Sequence, residues 1–442
     1  IKALETTDLA NLTTTQLGAL SATQVAALET ADLQALTTTS IAALSTTQVG
    51  GLTATQVGNL LDTQVTALST TNLAALTATQ AKGLEVTDLA LLTTTQLVSL
   101  STTSIAALTA TQIKGLADTQ VAGLTATQLS NFTSTQIAAL ETTDLQALTT
   151  TTIAALSTTQ VKGLTATQIG DLTATQAQSL ADTQIAVLTN TQIKALEATD
   201  LANLTTTQLG GLTSTQVAAL ETADLQALTT TNIAALSTTQ VSGLTATQVG
   251  NLLDTQVTAL STTNLAALTA TQVKGLEAAD LALLTTTQVN SLSTTSVAAL
   301  TATQIKGLAD TQVTGLSAAS LGALTATQVA SLETTDLQAL STTNVALLTT
   351  TQVKGLTATQ IGDLTATQVQ SLADTQLAVL TNTQIKALET TDLANLTTTQ
   401  LGALSATQVA ALETADLQAL TTTNVAALST TQVSGDRKST RL

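Results

Sequence analysis

An eight-residue phrase, LTTTQLGA and its near copies, fills the chain from Ile1 to Gly435. A period this short and this persistent decides the fold class before any single residue does. With Ile1 as position 1, position 1 is Ile, Val or Leu except at Ala81 and Ala177, and position 4 is Leu except at Phe132. Position 3 is mostly small or Asn, position 5 mostly Thr or Ser, position 7 nearly always Thr, and position 8 mainly Gln. A continuous amphipathic helix does not fit, because eight residues at about 100° each overshoot two turns by about 80° and wind the apolar stripe around the axis. A simple strand does not fit either. The apolar spacings of five and three are odd, so successive apolar residues would face opposite sides of a sheet.

Something therefore breaks within each octad, and the break reads as a helix start. Thr13 is a good N-cap, and Gln16 three residues on completes the S/T-x-x-E/Q capping box. Leu12 before the cap and Leu17 after it are spaced as a hydrophobic staple. Each octad then holds about one and a half helical turns before the next cap begins. Such a unit cannot stand alone. Ordering eight residues costs about 8–16 kcal/mol of backbone entropy, against about 3–6 from burying one Leu and one Val and about 1 from a cap. Stacked octads share a buried Leu seam, and small residues at position 3 let neighbouring backbones approach. The expected architecture is all-α: an α-solenoid of very short capped helices, one per octad. The alternative is a β-solenoid, in which the T-x-T of LTATQ lines a flat face. Against it, Ala and Gln are poor strand formers and no Gly or Asn marks a fixed corner.

Composition narrows the function. There is no Cys, Pro, Met, His, Trp or Tyr, and Phe132 is the one aromatic, so the core must be aliphatic, thin and repetitive. The formal net charge is −17, and all nine repeat lysines (Lys2, Lys82, Lys114, Lys162, Lys194, Lys274, Lys306, Lys354, Lys386) occupy position 2 as a dispersed, solvated edge. That is not a nucleic-acid surface. No apolar run approaches the roughly 18 residues of a membrane span. With neither His nor Cys, the many hydroxyls lack a base to activate them and read as caps, so no enzyme is expected. No nucleotide-binding motif is present.

A longer period overlies the octad: IKALETTDLANLTTTQLG at residue 1 returns with one change at 193 and unchanged at 385. The interval divides 1–435 into 1–192, 193–384 and a partial 385–435 within one continuous array, which points to growth by block duplication. The register stops at Gly435. The tail DRKSTRL, 436–442, resembles sequencing-adapter read-through and is given no function, the alternative being a natural basic terminus. The start in mid-phrase without Met is expected of a fragment.

The variant octads are also ordered. Glu at position 5 always travels with Asp at position 8: Glu5/Asp8, Glu29/Asp32, Glu85/Asp88, Glu141/Asp144, Glu197/Asp200, Glu221/Asp224, Glu277/Asp280, Glu333/Asp336, Glu389/Asp392 and Glu413/Asp416. One reading is that carboxylates in a first turn suit the positive end of the helix dipole, and duplication copied them. The other is calcium: acidic pairs of neighbouring coils, with Asp62, Asp118, Asp182, Asp254, Asp310 or Asp374, would supply hard oxygens. Neither an EF-hand loop nor an RTX nonapeptide accompanies them.

At the level of L-[TS]-x-T-Q-[VIL]-x-x-L, residues 1–435 resemble the octad-repeat regions of very large secreted proteobacterial exoproteins, labelled adhesion or heme-utilization proteins of the RTX type. The resemblance implies a bacterial extracellular or cell-surface location and a scaffold or stalk role. It does not carry heme binding here, because His, Met, Cys and Tyr are all missing. The expected protein is a secreted, adhesin-like spacer without cofactor; its partner is not named by the sequence, and the repeats leave room for association with a surface or with other copies. The alternatives are a Thr face that binds ice or polysaccharide and a calcium-stabilised spacer.

Overall fold

The computed structural model describes residues 5–435; Lys2, Leu4 and the 436–442 tail lie outside them. Among the described residues every element is an α-helix, 54 in all, each four to six residues long. The octad forms as its caps dictate. In the helix Thr14–Gly18 the cap Thr13 is extended at φ −70°, ψ 154°, and both arms of the capping box are made. The helix Thr46–Gly51 ends on Leu52 at φ −61°, ψ 144°. Position 4 is here extended, like the cap that follows it, and two such residues turn the corner. No described residue has a positive φ, so the corner needs no glycine at a fixed place.

Within each unit helices pack on the helix three further along, as Ala54–Gly58 does on Ala78–Gly83 and Ala326–Ser331 on Thr350–Gly355. Three octads therefore close one turn, giving a three-sided coil with one helix on each side. Positions 1 and 4 of each side point inward: Val65, Leu68, Leu73 and Leu76 are 0–2 % exposed. Phe132 fits the same seam, and Ala81 and Ala177 are buried where larger residues are the rule. The coils gather into two compact units, Ile1–Leu220 and Glu221–Leu442, each a stack of this kind.

The all-α solenoid stands and the β-solenoid does not. Thr and Val favour strands by side-chain shape, but that preference is context-dependent and worth about 1 kcal/mol at most. Here the cap, the box and the staple agree in octad after octad and win. The threonines of position 7 consequently stand exposed on helices, as Thr47 does, and form no flat β face.

Coils approach most closely at position 3. A Cβ on Gly83 would lie 2.5 Å from the Ala54 carbonyl oxygen, and one on Gly51 would lie 2.8 Å from Ala22 Cβ, whereas nothing stands within 4 Å of one on Gly18. Gly83→Ala should therefore lower stability by about 1–3 kcal/mol through overpacking. Gly18→Ala should raise it by about 0.5–1 kcal/mol through reduced backbone entropy. Urea-unfolding midpoints of the two variants, moving in opposite directions from the parent, are the check.

Candidate functional site: the seam between coils

The most constrained polar side chain is the glutamine of position 8, the third residue of each helix. Its carboxamide works at both ends. Gln120 Oε1 accepts the Ala117 backbone N–H at 2.8 Å, while Nε2 donates to the carbonyls of Leu89 at 2.8 Å and Leu92 at 2.6 Å. Gln48 does the same between Ser45 N–H and the carbonyls of Leu17 and Leu20, and Gln272 between Thr269 N–H and the carbonyls of Val241 and Leu244. The acceptors are 28 and 31 residues back, at the corner of the coil beneath. These glutamines are 2–3 % exposed, so the amide is a dry clasp between turns. Reading the sequence as a capping box found the Oε1 half and missed the Nε2 half. The signal was there: position 8 takes Gln, Asn, Asp, Ser or Thr and never a longer charged side chain.

Shorter residues make the same reach. Asn72 Nδ2 donates to the Leu44 carbonyl at 2.8 Å and Ser104 Oγ to that of Leu76 at 2.7 Å, again 28 residues back. Four glutamines at position 2 (Gln34, Gln146, Gln226, Gln338) clasp in the other direction, each donating to a carbonyl 25 residues on at 2.6–2.7 Å.

The acidic pairs split across this seam. Glu29, Glu85 and Glu141 are exposed caps, whereas Asp32, Asp88 and Asp144 are buried at 8, 1 and 1 % exposure. Glu5 and Asp8, in the first described helix, are both exposed. These three aspartates accept the N–H of their own Glu: Asp32 from Glu29 at 3.1 Å, Asp88 from Glu85 at 3.1 Å, Asp144 from Glu141 at 2.9 Å. The two carboxylates of a pair thus face different surroundings. What the fold does bring beside a buried Asp is a position-6 Asp of the coil beneath: Asp62 acts on Asp88, Asp118 on Asp144, Asp254 on Asp280 and Asp310 on Asp336. Above Asp182 and Asp374 the corresponding residues are Gln208 and Gln400, so these two meet no acid there. Among the described residues no group of three or more carboxylates converges to hold a metal ion.

Burial raises the carboxyl of Asp88, Asp200, Asp224, Asp280, Asp336 and Asp392, and their Glu neighbours push the same way. Burial pushes Asp144 up to about 6, with Asp118 and Glu141 adding to it. The aspartates of position 6 have a local cause. In all six octads the preceding cap is Leu61, Ala117, Ala181, Leu253, Ala309 or Ala373, which has no side chain to cap with. A carboxylate at the first helical residue stabilises the positive end of the helix dipole that the missing hydroxyl leaves bare. Lysines stay at the rim: Lys306 Nζ is 3.7 Å from Glu333, both more than half exposed, and Lys114 and Glu141 line one open groove.

A family described as the ALTTAQ repeat matches residues 1–28, 25–61, 137–174, 193–221, 217–253, 273–310, 329–366, 385–413 and 409–435, well over half of the chain. No curated protein matches it.

If the seam is held by this carboxamide, Gln120→Ala should cost about 2–4 kcal/mol, because it strands the buried Leu89 and Leu92 carbonyls and leaves the half-buried Ala117 N–H without its cap. Gln16→Ala, at an exposed glutamine, should cost about 1 kcal/mol or less, the worth of a cap. Urea midpoints compare the two, and amide exchange at Ala117 should accelerate in the first variant.

Proposed function

We propose that this chain, which belongs to the ALTTAQ repeat family, is a structural scaffold that sets a distance and carries no chemistry of its own. One observation carries the reading: within each unit coil after coil spends its buried polar groups on the coil beneath, with the same clasp at Gln48 in the first unit and at Gln432 in the second. A catalytic or ligand-binding protein concentrates its odd residues at one place. Here the departures are spread at fixed intervals along the array. The acidic surface suits a long repeat that must remain soluble.

The resemblance to secreted repeat exoproteins supports placing the scaffold at a bacterial cell surface, as an adhesin-like stalk that carries a binding domain away from the cell. Contact with another copy, where it occurs, would run along the sides through Leu61, Leu91, Leu253, Leu283 and Leu347, which are 45–50 % exposed. The absence of His and Cys from the whole chain supports a non-catalytic role.

A spacer tolerates whole-unit changes in length. Excision of residues 137–160, one coil in register, should leave helicity per residue unchanged by far-UV circular dichroism and shorten the radius of gyration by one coil's increment in small-angle scattering. Excision of 137–156, which cuts an octad, should lower the urea midpoint markedly more. Loss of folded signal on removing a single whole coil would sink the scaffold reading.

A further inference from the structure

Position 8 carries a donor for the coil beneath in most octads, and Asn shows how short that donor can be. Asn72, Asn264 and Asn424 reach the carbonyls of Leu44, Leu236 and Leu396 at 2.8, 2.7 and 3.1 Å. Asp is the same size and shape as Asn and occupies the same seat in the acidic octads. Asp200 and Asp392 hold this seat as well, and in Asp88, Asp144, Asp280 and Asp336 one oxygen accepts the N–H of the capping Glu at 2.9–3.4 Å. The other stands in for an amide that would donate, and an ionised carboxylate has no hydrogen to give.

Two of these aspartates are supplied from outside: Thr6 Oγ1 donates to Asp32 Oδ1 at 3.0 Å and Thr390 Oγ1 to Asp416 Oδ1 at 2.9 Å, each from position 6 of the coil beneath. Six others whose coil beneath lies in the same unit have no such hydroxyl. The residue at that place is Asp62 for Asp88, Asp118 for Asp144, Ala174 for Asp200, Asp254 for Asp280, Asp310 for Asp336 and Ala366 for Asp392. These six are 1–4 % exposed. Asp144 Oδ1 and Asp392 Oδ2 are buried with no donor at all.

We propose that Asp88, Asp144, Asp200, Asp280, Asp336 and Asp392 are proton-operated clasps between coils. Each is folded as the neutral acid. Its carboxyl hydroxyl donates to an oxygen of the coil beneath, either the leucine carbonyl that an Asn in this seat would use or, for Asp144 and Asp336, the neighbouring carboxylate of Asp118 or Asp310. Ionisation sends that proton to solvent and leaves two acceptors face to face. A cation fits this place less well than a proton. The donor–acceptor gap of the equivalent amides is 2.7–3.1 Å, a hydrogen-bond length. Among the described residues no third carboxylate closes a ring of the six to eight oxygens that calcium takes.

The electrostatics agree with the geometry. Burial raises all six carboxyls, and the charged groups that face them are acids: Glu85 and Asp62 for Asp88, Asp118 and Glu141 for Asp144, Glu197 for Asp200, Glu277 and Asp254 for Asp280, Asp310 and Glu333 for Asp336, and Glu389 for Asp392. Among the described residues lysines come near these places by way of the exposed glutamates: Lys306 beside Glu333, Lys114 in the groove of Glu141 and Lys274 in that of Glu277. A carboxyl raised in the folded state binds its proton more tightly there than in the unfolded chain. Its contribution is whole below the unfolded value and is lost as pH rises through the folded one, so for Asp144 the loss runs from about 4 to about 6.

The test is urea unfolding of the full chain from pH 4 to pH 8, beside a variant carrying Asp→Asn at all six positions, each with chelator and with Ca²⁺. The parent midpoint is expected to fall as pH rises from about 4 to about 6 and then level off. The Asn variant, with a permanent donor in each seat, should lose that fall and lie above the parent at pH 7. A parent midpoint that holds or rises over this interval, or a variant that keeps the parent's fall, overturns the proposal. So does restoration of the parent by Ca²⁺ at pH 7, which would put a metal where the proton is assigned. Infrared spectra of the folded parent supply an independent reading: a protonated-carboxyl band should persist at a pH where surface carboxylates are ionised and be absent from the Asn variant, and its absence from the parent counts against the clasp even if the variant does not fold.

Discussion

A helix of five or six residues cannot satisfy itself. The first four N–H groups and last four carbonyls of any helix lack partners within it, so in an element this short nearly every backbone group is an end group. The octad array answers with one side chain placed where two sets of ends meet. The position-8 glutamine accepts from its own cap and donates to the carbonyls at the corner of the coil beneath, as Gln120 does between Ala117 and Leu89/Leu92. Removing water from that amide would be costly if either end were idle, and neither is. The three-sided coil, the aliphatic interior and the close approach at Gly83 all follow once that clasp fixes one turn against the next.

The same arrangement explains how so plain a core suffices. Position 1 and position 4 side chains bury one thin seam per side, with Phe132 its one aromatic. Apolar burial of one octad falls short of the entropy of ordering it, but an octad inside the stack is ordered by neighbours on both sides, and its caps are already shared. Stability in such an array belongs to interfaces between coils. Substitutions that spare an interface, such as one at Gly18, touch little, whereas those at Gly83 or Gln120 strike two turns at once.

Much of this was legible in the letters. The capping box at Thr13 and Gln16 marks where each helix starts, and the odd apolar spacings excluded both the long helix and the strand. What was not legible was the number of octads per turn, because that depends on the angle at which two extended residues such as Leu52 and Thr53 turn the chain, summed over three corners. Yet the sequence held an arithmetic trace: the duplicated block and the closest acidic octads are spaced by whole multiples of three octads. Dipole reasoning placed the acids in the first turn, where they are. It treated Glu29 and Asp32 alike, because nothing local distinguishes a cap facing solvent from a third residue facing the coil beneath. The calcium reading joined acidic pairs of neighbouring coils with the position-6 aspartates, and the fold does set one of these, Asp118, beside Asp144; which acid meets which follows from the three-octad turn, which the letters do not state.

The spacing of the buried acids has a further physical consequence within each unit. In the first unit Asp32, Asp88, Asp144 and Asp200 follow one another at steps of seven octads, and in the second Asp224, Asp280, Asp336 and Asp392 do the same. Seven octads are two coils and one side over, so successive buried acids fall on successive sides of the three-sided coil. A step of six octads would have stacked them on one side, two coils apart, and their repulsion in a poorly hydrated seam would have accumulated there. Where two acidic octads stack directly within one unit, Asp8 beneath Asp32 and Asp392 beneath Asp416, position 6 of the lower octad is Thr6 or Thr390, and its hydroxyl donates to the upper Asp. Elsewhere the weaker clasp is bracketed: Asp88 has Gln64 below and Gln112 above on its own side, Asp144 has Gln120 and Gln168, Asp280 has Gln256 and Gln304, and Asp336 has Gln312 and Gln360. A strong glutamine clasp on either side of each keeps a local loosening from spreading along the stack.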